Sequence, residues 1–260
     1  AHAGPMTWTV EDCALMMNVL TEADHRDTNA VPRRNIDYLA ELRGGVKGLK
    51  IAYSPNLGYV DVDPEVEAAV AEAAKVFADL GAEVVRVDPG FSDPLAAFGH
   101  LFYGGAANAI RDLGPKKRAL MDPELIKVSE KAARLSMLDY MGAMNESMAL
   151  RERMAAFHQK YDLLLTPTLP LTAFKTGREV PEDWPSTRWP TWTPFTYPFN
   201  MTGQPGLSVP CGFDSKGLPI GLQLVGARFN DAVVMRAGHA YQQAAPLTDR
   251  RPALFTAAQE

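Results

Sequence analysis

The sequence predicts an α/β protein with a mixed central β-sheet flanked by helices. Three observations lead to this fold class. A strand, an amphipathic helix and a second strand follow one another between residues 49 and 87, which is the order of a parallel β-α-β unit. Two apolar strands joined by a short turn, between residues 207 and 225, indicate an antiparallel hairpin. Helical periodicity covers most of residues 93–160.

The β-α-β unit has clear boundaries. Residues 49–53 read as a strand, Asp63 is in position to cap the next helix with Pro64 at its first position, and Gly81 ends that helix before a strand at 84–87. The apolar face of the helix consists of Val66, Val70, Ala73, Phe77 and Leu80. Capping also explains the acidic cluster around Asp63, which would otherwise suggest a metal site.

Two further helices follow from periodicity. The longer one, near residues 136–160, carries a methionine stripe that we expect to fill the core, although methionines at this spacing also suit a flexible apolar pocket. The stripe consists of Met137, Met141, Met144, Met148 and Met154. The other helix follows Asn230 and ends near Gln243. No internal repeat interrupts the chain, so we predict a single domain over residues 1–260.

Residues 169–198 resist a regular assignment and form the best candidate for a binding loop. The prolines at positions 181, 185, 190, 194 and 198 exclude a regular helix or central strand there, while tryptophans and other aromatics supply a large apolar surface. Trp192 and Phe195 are predicted to face substrate because they lie nearest to the polar motif that begins at Asn200. The alternative is that these aromatic rings pack the loop onto the body as a small satellite core.

Polar residues beside predicted strand ends and turns are further binding candidates. Thr166, Asn200 and Thr202 lie where α/β sheets open their ligand crevice, and their hydroxyl or amide groups can orient a substrate amide. Asn200 and Thr202 also suit a purely structural role, satisfying backbone groups of the turn. For Asn200 the structural role is favoured.

The hairpin region carries the densest turn pattern in the chain. Gly203, Pro205 and Gly206 end a short helical segment, and residues 207–213 form an apolar strand before the turn at 214–217. In the second strand, residues 220–225, alternate positions such as Ile220 and Leu222 share one face. The pattern predicts a hairpin buried in a sheet.

This region resembles the C-terminal part of amidase signature enzymes, which are serine amide hydrolases. Residues 200–210 read Asn-x-Thr-Gly-x-Pro-x-x-Ser-x-Pro, and residues 217–226 read Gly-Leu-Pro-x-Gly-Leu-Gln-Leu-Val-Gly. Gly4-Pro5-Met6 and the segment from Tyr161 to Thr168 also match family segments in order. The resemblance covers about residues 4–252 and implies an incomplete amidase signature fold.

The resemblance assigns no catalytic residue to this chain. Members use a serine nucleophile, a second serine on a cis peptide bond and a lysine, all upstream of the Gly-Pro-Met segment. The chain has no Ser-Ser pair and no lysine before Lys47, so we expect it to be the C-terminal portion of an amidase. The implied substrate is a small-molecule amide, without cofactor or metal. The alternative is a non-catalytic structural or assembly module, and neither Ser54 nor Ser208 is assigned the nucleophile's place.

Composition restricts the partners. The net charge is −5, and no run of five Lys or Arg residues occurs, so charge gives no support for nucleic acid or anionic membranes as direct partners. No apolar run approaches a membrane span of ~20 residues. Cys13 and Cys211, far apart in apolar surroundings, suit reduced thiols in the cytoplasm. We also expect self-association, because an incomplete fold leaves apolar edges unpaired.

Two other chemistries have the right residue types without the right spacing. Cys211, His239 and Asp231 would supply a cysteine hydrolase, but Cys211 lies inside an apolar strand. The five histidines include no closely spaced pair, so a zinc site would have to be assembled from distant elements.

Overall fold

A five-stranded mixed sheet forms the centre of the molecule, in a computed structural model that describes residues 2–27, 31 and 35–250. The strands are β1 (Lys50–Tyr53), β2 (Glu83–Arg86), β3 (Leu163–Pro167), β4 (Gly206–Phe213) and β5 (Pro219–Gly226), in the spatial order β2-β1-β3-β5-β4. β1 pairs parallel with β2 and β3, whereas β5 pairs antiparallel with β3 and β4. The predicted α/β class with a mixed sheet is confirmed. Residues 1, 28–30, 32–34 and 251–260 of the predicted domain lie outside the described residues.

Helices cover both faces of this sheet. They are α1 (Val10–Leu20), α2 (Tyr38–Glu41), α3 (Pro64–Asp79), α4 (Leu95–Ile110), α5 (Pro115–Arg118), α6 (Pro123–Ala132), α7 (Met137–Phe157), α8 (Tyr197–Thr202) and α9 (Asp231–Ala244). Short 3₁₀ helices occur at Leu42–Gly44 and Trp189–Trp192. The segment 169–198, which was predicted to be irregular, contains the second of these 3₁₀ helices and the first two residues of α8.

The β-α-β unit forms as predicted. The carboxylate of Asp63 accepts a hydrogen bond from the backbone N–H of Glu65 at 2.8 Å, and Pro64 occupies the first turn of α3. Gly81 adopts φ of +90°, a backbone conformation that side chains with a Cβ rarely take. Helix capping therefore accounts for Asp63, as the sequence indicated.

Alternate residues of the central strands separate two hydrophobic cores. Ile51 and Leu222 face the first core, which α1, α2, α3 and α9 cover. Ala52, Leu164 and Val225 face the second, which α4, α7 and α8 cover. The predicted faces of the second hairpin strand are confirmed, because strand side chains alternate between the two sides of a sheet.

The prediction of a fully buried hairpin is wrong for its first strand. β5 is buried between β3 and β4, but β4 forms the edge of the sheet, and Ser208 and Pro210 are exposed. A proline fits this position, since an edge strand leaves one side of its backbone without a ladder partner. The register shifts between Pro210 and Gly212, which makes Cys211 the extra residue of a bulge.

The methionine stripe is not a core stripe. Met154 is 1% exposed and packs in the second core, but Met137, Met141 and Met148 are 79%, 49% and 54% exposed. The long helix lies where it was predicted, near residues 136–160, and in the structure a capping box formed by Ser136 and Asp139 starts it. Spacing shows which residues share a helical face, but it does not show whether another element covers that face.

A second exposed apolar face lies on α1. The side chains of Leu15, Val19 and Leu20 are each more than half exposed, although the same helix buries Val10, Cys13 and Ala14. Together with the exposed methionines of α7, this leaves two helix faces uncovered within the described part of the chain.

Candidate functional site

A pair of hydroxyls lies where β3 ends beside the hairpin. The Oγ1 of Thr168 is 2.7 Å from the Oγ of Ser208 and donates a hydrogen bond to the carbonyl of Leu222 at 2.9 Å. Because Thr168 has one hydroxyl proton, Ser208 is the donor between the two. A Cβ on Gly221 would lie 2.9 Å from both hydroxyl oxygens, so glycine there gives them room.

The hydroxyl pair borders a cavity of about 470 Å³ with a mostly apolar wall. The cavity is lined by Val66, Thr168, Leu169, Leu171, Thr172, Ala173, Phe174, Trp192, Ser208, Pro210, Pro219, Ile220 and Gly221. This size and polarity are typical of a pocket for a small molecule, with a few polar groups to orient it.

Trp192 is a rigid part of this wall. Its indole N–H donates to the carbonyl of Glu179 at 3.0 Å, and its ring meets Phe174 edge to face, with centroids 5.3 Å apart. Of the five predicted binding residues, Trp192 is the one that lines this cavity. The indole is held in place by contacts within the chain, so little side-chain ordering remains for a ligand to impose.

Phe195 occupies a different environment. Its ring is fully buried in the second core, beside the sheet and α8, and it does not line the cavity at Trp192. Its backbone carbonyl accepts a hydrogen bond from the side-chain amide of Gln223 at 2.8 Å. In this chain Phe195 packs the loop onto the body, which is the alternative that the sequence left open for the aromatic residues.

Gln223 also connects Thr166 to this network. Its amide nitrogen lies 3.2 Å from the Oγ1 of Thr166, whose own proton goes to the carbonyl of Pro167. Thr166 and Gln223 are both buried, so these bonds are made away from water. Thr166 therefore supports the attachment of the aromatic segment to the sheet rather than lining the cavity at Trp192.

Thr202 and Asn200 lie on α8, apart from the cavity. The buried hydroxyl of Thr202 is 2.7 Å from the Oε1 of Gln204, and the amide of Gln204 donates to the carbonyl of Gly226 at 2.9 Å. Asn200 is half-buried, and its Oδ1 lies 2.7 Å from the Nδ1 of His2. Thr202 supports the turn before β4, whereas the amide of Asn200 reaches the N-terminal segment instead of the turn backbone.

The five predicted residues thus do not converge on one cavity. Two glutamines that the sequence did not predict as site residues bond to three of these positions. Gln223 bonds to Phe195 and Thr166, and Gln204 bonds separately to Thr202. A glutamine inside an otherwise apolar strand is a detectable signal, because a buried amide needs hydrogen-bond partners. The sequence alone does not identify those partners.

The two serines considered as substitute nucleophiles have structural contacts. Ser54 is fully buried, donates to the Oδ1 of Asp88 at 2.6 Å, and accepts from the backbone N–H of Leu57 at 2.9 Å. Ser208 is exposed, but its proton is directed to Thr168. A nucleophilic serine needs both a base to take its proton and access to the substrate. Ser54 has a carboxylate beside it but is fully buried, whereas Ser208 is exposed but bonds to a hydroxyl, which is not a base.

Cys211 is a poor nucleophile in this environment. Burial raises the pKa of its thiol to about 12, so the thiol stays protonated at neutral pH. Thiolate is the reactive form of cysteine, so Cys211 is not a nucleophile for a cysteine hydrolase at neutral pH.

Across the described ranges, no cluster of three or more His, Cys, Asp or Glu side chains is placed to hold a metal ion. None of the helices in these ranges has the length and apolar character to cross a bilayer.

Comparisons with known proteins agree on one family. The amidase family model matches residues 1–235. The chain is 33% identical to an acylamidase of Rhodococcus erythropolis over 97% of its length, and 33% identical to the A subunit of glutamyl-tRNA(Gln) amidotransferase of Myxococcus xanthus over 92%. It covers 54% of each of these relatives. The chain thus spans about half the length of the curated relatives it matches.

A solved structure gives the same result in three dimensions. The chain superposes on a bacterial aryl acylamidase of the amidase signature family with a TM-score of 0.83 and 31% identity, covering 96% of this chain and 55% of that one. The chain therefore has part of the amidase signature fold, as the motifs at 200–226 led us to expect. The chain belongs to the amidase signature family.

Proposed function

We propose that this chain is the C-terminal portion of an amidase that hydrolyses a carboxylic amide to an acid and ammonia or an amine, with the catalytic serines and lysine outside these 260 residues. The observation that supports this most directly is the amidase family match over residues 1–235, in a chain that spans about half of its relatives. The described residues contribute scaffold and pocket wall rather than a nucleophile.

The chemistry follows from the family pattern. A lysine takes the proton of the second serine, which in turn takes the proton of the nucleophilic serine as that serine attacks the amide carbonyl. Collapse of the tetrahedral intermediate breaks the C–N bond, and the proton is passed to the departing nitrogen. Water then cleaves the acyl-enzyme and releases the acid. Hydrogen-bond donors placed at the developing oxyanion lower the barrier of both steps.

This chain would hold the acyl side of the substrate. Trp192 borders a largely apolar cavity, and its indole is fixed by Glu179 and Phe174. A rigid aromatic wall encloses an acyl group at low entropic cost. The hydroxyls of Thr168 and Ser208, which also border the cavity, would orient a polar group of the substrate.

Attachment of the aromatic segment to the sheet supports this role. The amide of Gln223 bonds to the carbonyl of Phe195, and the hydroxyl of Tyr197 donates to the carboxylate of Asp93 at 2.6 Å. Both bonds join residues that lie far apart in sequence, and both Gln223 and Tyr197 are buried. These bonds hold the aromatic segment in one position on the sheet, and a substrate can be positioned accurately only by groups that are themselves fixed.

Aryl amides are the substrate class that we favour. Trp192 and Phe174 present aromatic surface to the cavity, and aromatic groups pack well against such a wall. The solved structure that this chain superposes on is by name an aryl acylamidase. Thr168, Leu171 and Ile220 complete a wall that would also accommodate a short aliphatic acyl group.

A second candidate is a non-catalytic structural or assembly module. It is favoured by the complete burial of Ser54, whose hydroxyl is bonded to Asp88, and by the raised pKa of Cys211, because neither residue is then a nucleophile that a substrate can reach. One of the relatives is by name a subunit of an amidotransferase, which is consistent with an assembly role. Activity of a longer protein that contains this chain distinguishes the two candidates.

A chimera tests the amidase proposal. The matched part of the Rhodococcus erythropolis acylamidase is replaced by this chain, and the product is assayed with a panel of aryl and aliphatic amides. Hydrolysis by the chimera, with none by the isolated chain, supports the proposal. A folded, monodisperse chimera that turns over no amide while the natural acylamidase does would favour the module instead.

Self-association and compartment are further parts of the proposal. The uncovered faces of α1 and α7 and the free edge of β4 would pair with a second copy or with the rest of an amidase fold. A reducing compartment such as the cytoplasm suits Cys13 and Cys211, which are both free thiols. Cell fractionation of the native protein tests the compartment.

A further inference from the structure

A second cavity, of about 460 Å³, lies between α4, α6 and residues 179–189. It is separate from the cavity at Trp192 and shares no lining residue with it. Its wall is mostly apolar, with Trp189 and Leu135 among the lining residues, and it is the more enclosed of the two. None of the chemistry proposed above uses it.

An unpaired hydroxyl is buried beside this cavity. Tyr103 lines the cavity and is 5% exposed, and the proton of its hydroxyl has no acceptor among the described residues. A buried hydroxyl without a partner costs free energy that a bound acceptor would recover. Burial raises the pKa of this hydroxyl, and the charge of Arg188 and a weak hydrogen bond from its guanidinium to the hydroxyl oxygen lower it in part. The hydroxyl therefore keeps its proton at neutral pH and can donate it to an acceptor.

A guanidinium borders the same part of the cavity. The central carbon of Arg188 lies 6.0 Å from the centroid of the Tyr103 ring. Arg188 reaches this position because Gly99 has no side chain, since a Cβ there would lie 3.0 Å from a guanidinium nitrogen. The absence of a Cβ on α4 thus leaves space that the guanidinium uses.

The charges around the cavity favour an anion. Lys127 is paired with Glu124, 3.4 Å away, but among the described residues no carboxylate lies within ion-pair distance of Lys131 or Arg188. Glu179 is the other carboxylate in the lining. Counting lysine, arginine and carboxylates, the lining has one positive charge in excess, which a ligand with a single negative charge would neutralise.

We propose that this cavity binds a small organic monocarboxylate with an aromatic or aliphatic body. Its carboxylate accepts hydrogen bonds from the hydroxyl of Tyr103 and the guanidinium of Arg188, and its apolar body packs against Trp189 and Leu135. Arginine suits this role because its planar donors match the two oxygens of a carboxylate. The site does not depend on the amidase proposal, because binding at this cavity needs no turnover.

Titration calorimetry on the 260-residue chain tests the site, with 2-naphthoate as the probe and the neutral 2-naphthalenemethanol for comparison. We expect the carboxylate to bind at least about tenfold more tightly than the alcohol, which corresponds to ~1.4 kcal/mol. Tyr103→Phe removes the hydroxyl whose proton is unpaired, so we expect unchanged or slightly higher thermal stability and about tenfold weaker binding. Arg188→Gln should weaken binding by at least as much, whereas Lys216→Gln, in the exposed turn between β4 and β5, should leave it unchanged.

Three results would overturn the proposal. They are no binding of 2-naphthoate at millimolar concentration, equal binding of the alcohol, and unchanged affinity in both Tyr103→Phe and Arg188→Gln. If circular dichroism shows that Arg188→Gln disturbs the fold, Lys131→Gln takes its place, since Lys131 is the other cation without a carboxylate partner at this cavity among the described residues. Full affinity in Lys131→Gln and Tyr103→Phe together would then count against the site.

Discussion

Replacing Gln223 by leucine should destabilise the protein through the loss of a single buried amide. The side-chain amide of Gln223 donates to the carbonyl of Phe195 at 2.8 Å and lies 3.2 Å from the Oγ1 of Thr166. Leucine fills a similar volume but leaves the buried carbonyl of Phe195 unpaired, which costs ~1–3 kcal/mol. The hydroxyl of Thr166 keeps its bond to the carbonyl of Pro167, so losing the contact with Gln223 costs less free energy at Thr166 than at Phe195.

Chemical denaturation measures this effect. We expect Gln223→Leu to lower the free energy of unfolding by ~1–3 kcal/mol, and the melting temperature to fall by about 2–4 °C for each kcal/mol in a domain of this size. Gln243→Leu is the matched control, because Gln243 is exposed on α9, and such changes stay within ~0.5 kcal/mol. If the two substitutions have equal effects, Gln223 does not anchor the aromatic segment and our account of the site is wrong.

Four other properties of the protein can be tested in the same way. In an active protein that contains this chain, Trp192→Ala should lower kcat/KM for aryl amides relative to aliphatic ones by about two- to tenfold, because aromatic contacts contribute ~0.5–1.5 kcal/mol. Trp184→Ala, in the same segment but outside the cavity, should leave that ratio unchanged, and equal ratios in both variants would make the loop structural. The isolated chain should hydrolyse no amide. Amide turnover that disappears on Ser54→Ala or Cys211→Ala would contradict this expectation. The rate at which Cys211 reacts with a thiol reagent should rise about tenfold per pH unit up to about pH 12, because its raised pKa keeps the thiol protonated below that pH. Burial of the neutral thiol stabilises the folded protein, and this stabilisation should be lost as the pH rises from 9.0 to about 12. A rate that levels off near pH 9 would refute this. Sedimentation should show concentration-dependent association of the isolated chain, weakened by charged substitutions at Leu15 and Met141, and a strict monomer at high concentration would contradict the assignment of these exposed faces as contact surfaces.

Local sequence determined most of the secondary structure. Asp63, Pro64 and Gly81 set the limits of α3, and Gly203 ends α8 with φ of +70°, because capping and turn conformations depend on neighbours within a few residues. The alternation in β5 also predicted which side chains face each core. The motifs at 200–226 were sufficient to indicate the family.

Tertiary structure alone decided which surfaces are covered and which polar groups meet. The apolar patterns of β4 and of the methionine stripe on α7 look like core patterns, yet β4 lies at the sheet edge and three of the methionines are exposed. Gln223 finds Phe195 across 28 residues, and Tyr103 meets Arg188 across the cavity between α4 and residues 179–189. Burial and partner choice depend on the packing of elements that are distant in sequence, and side-chain periodicity carries no information about that packing.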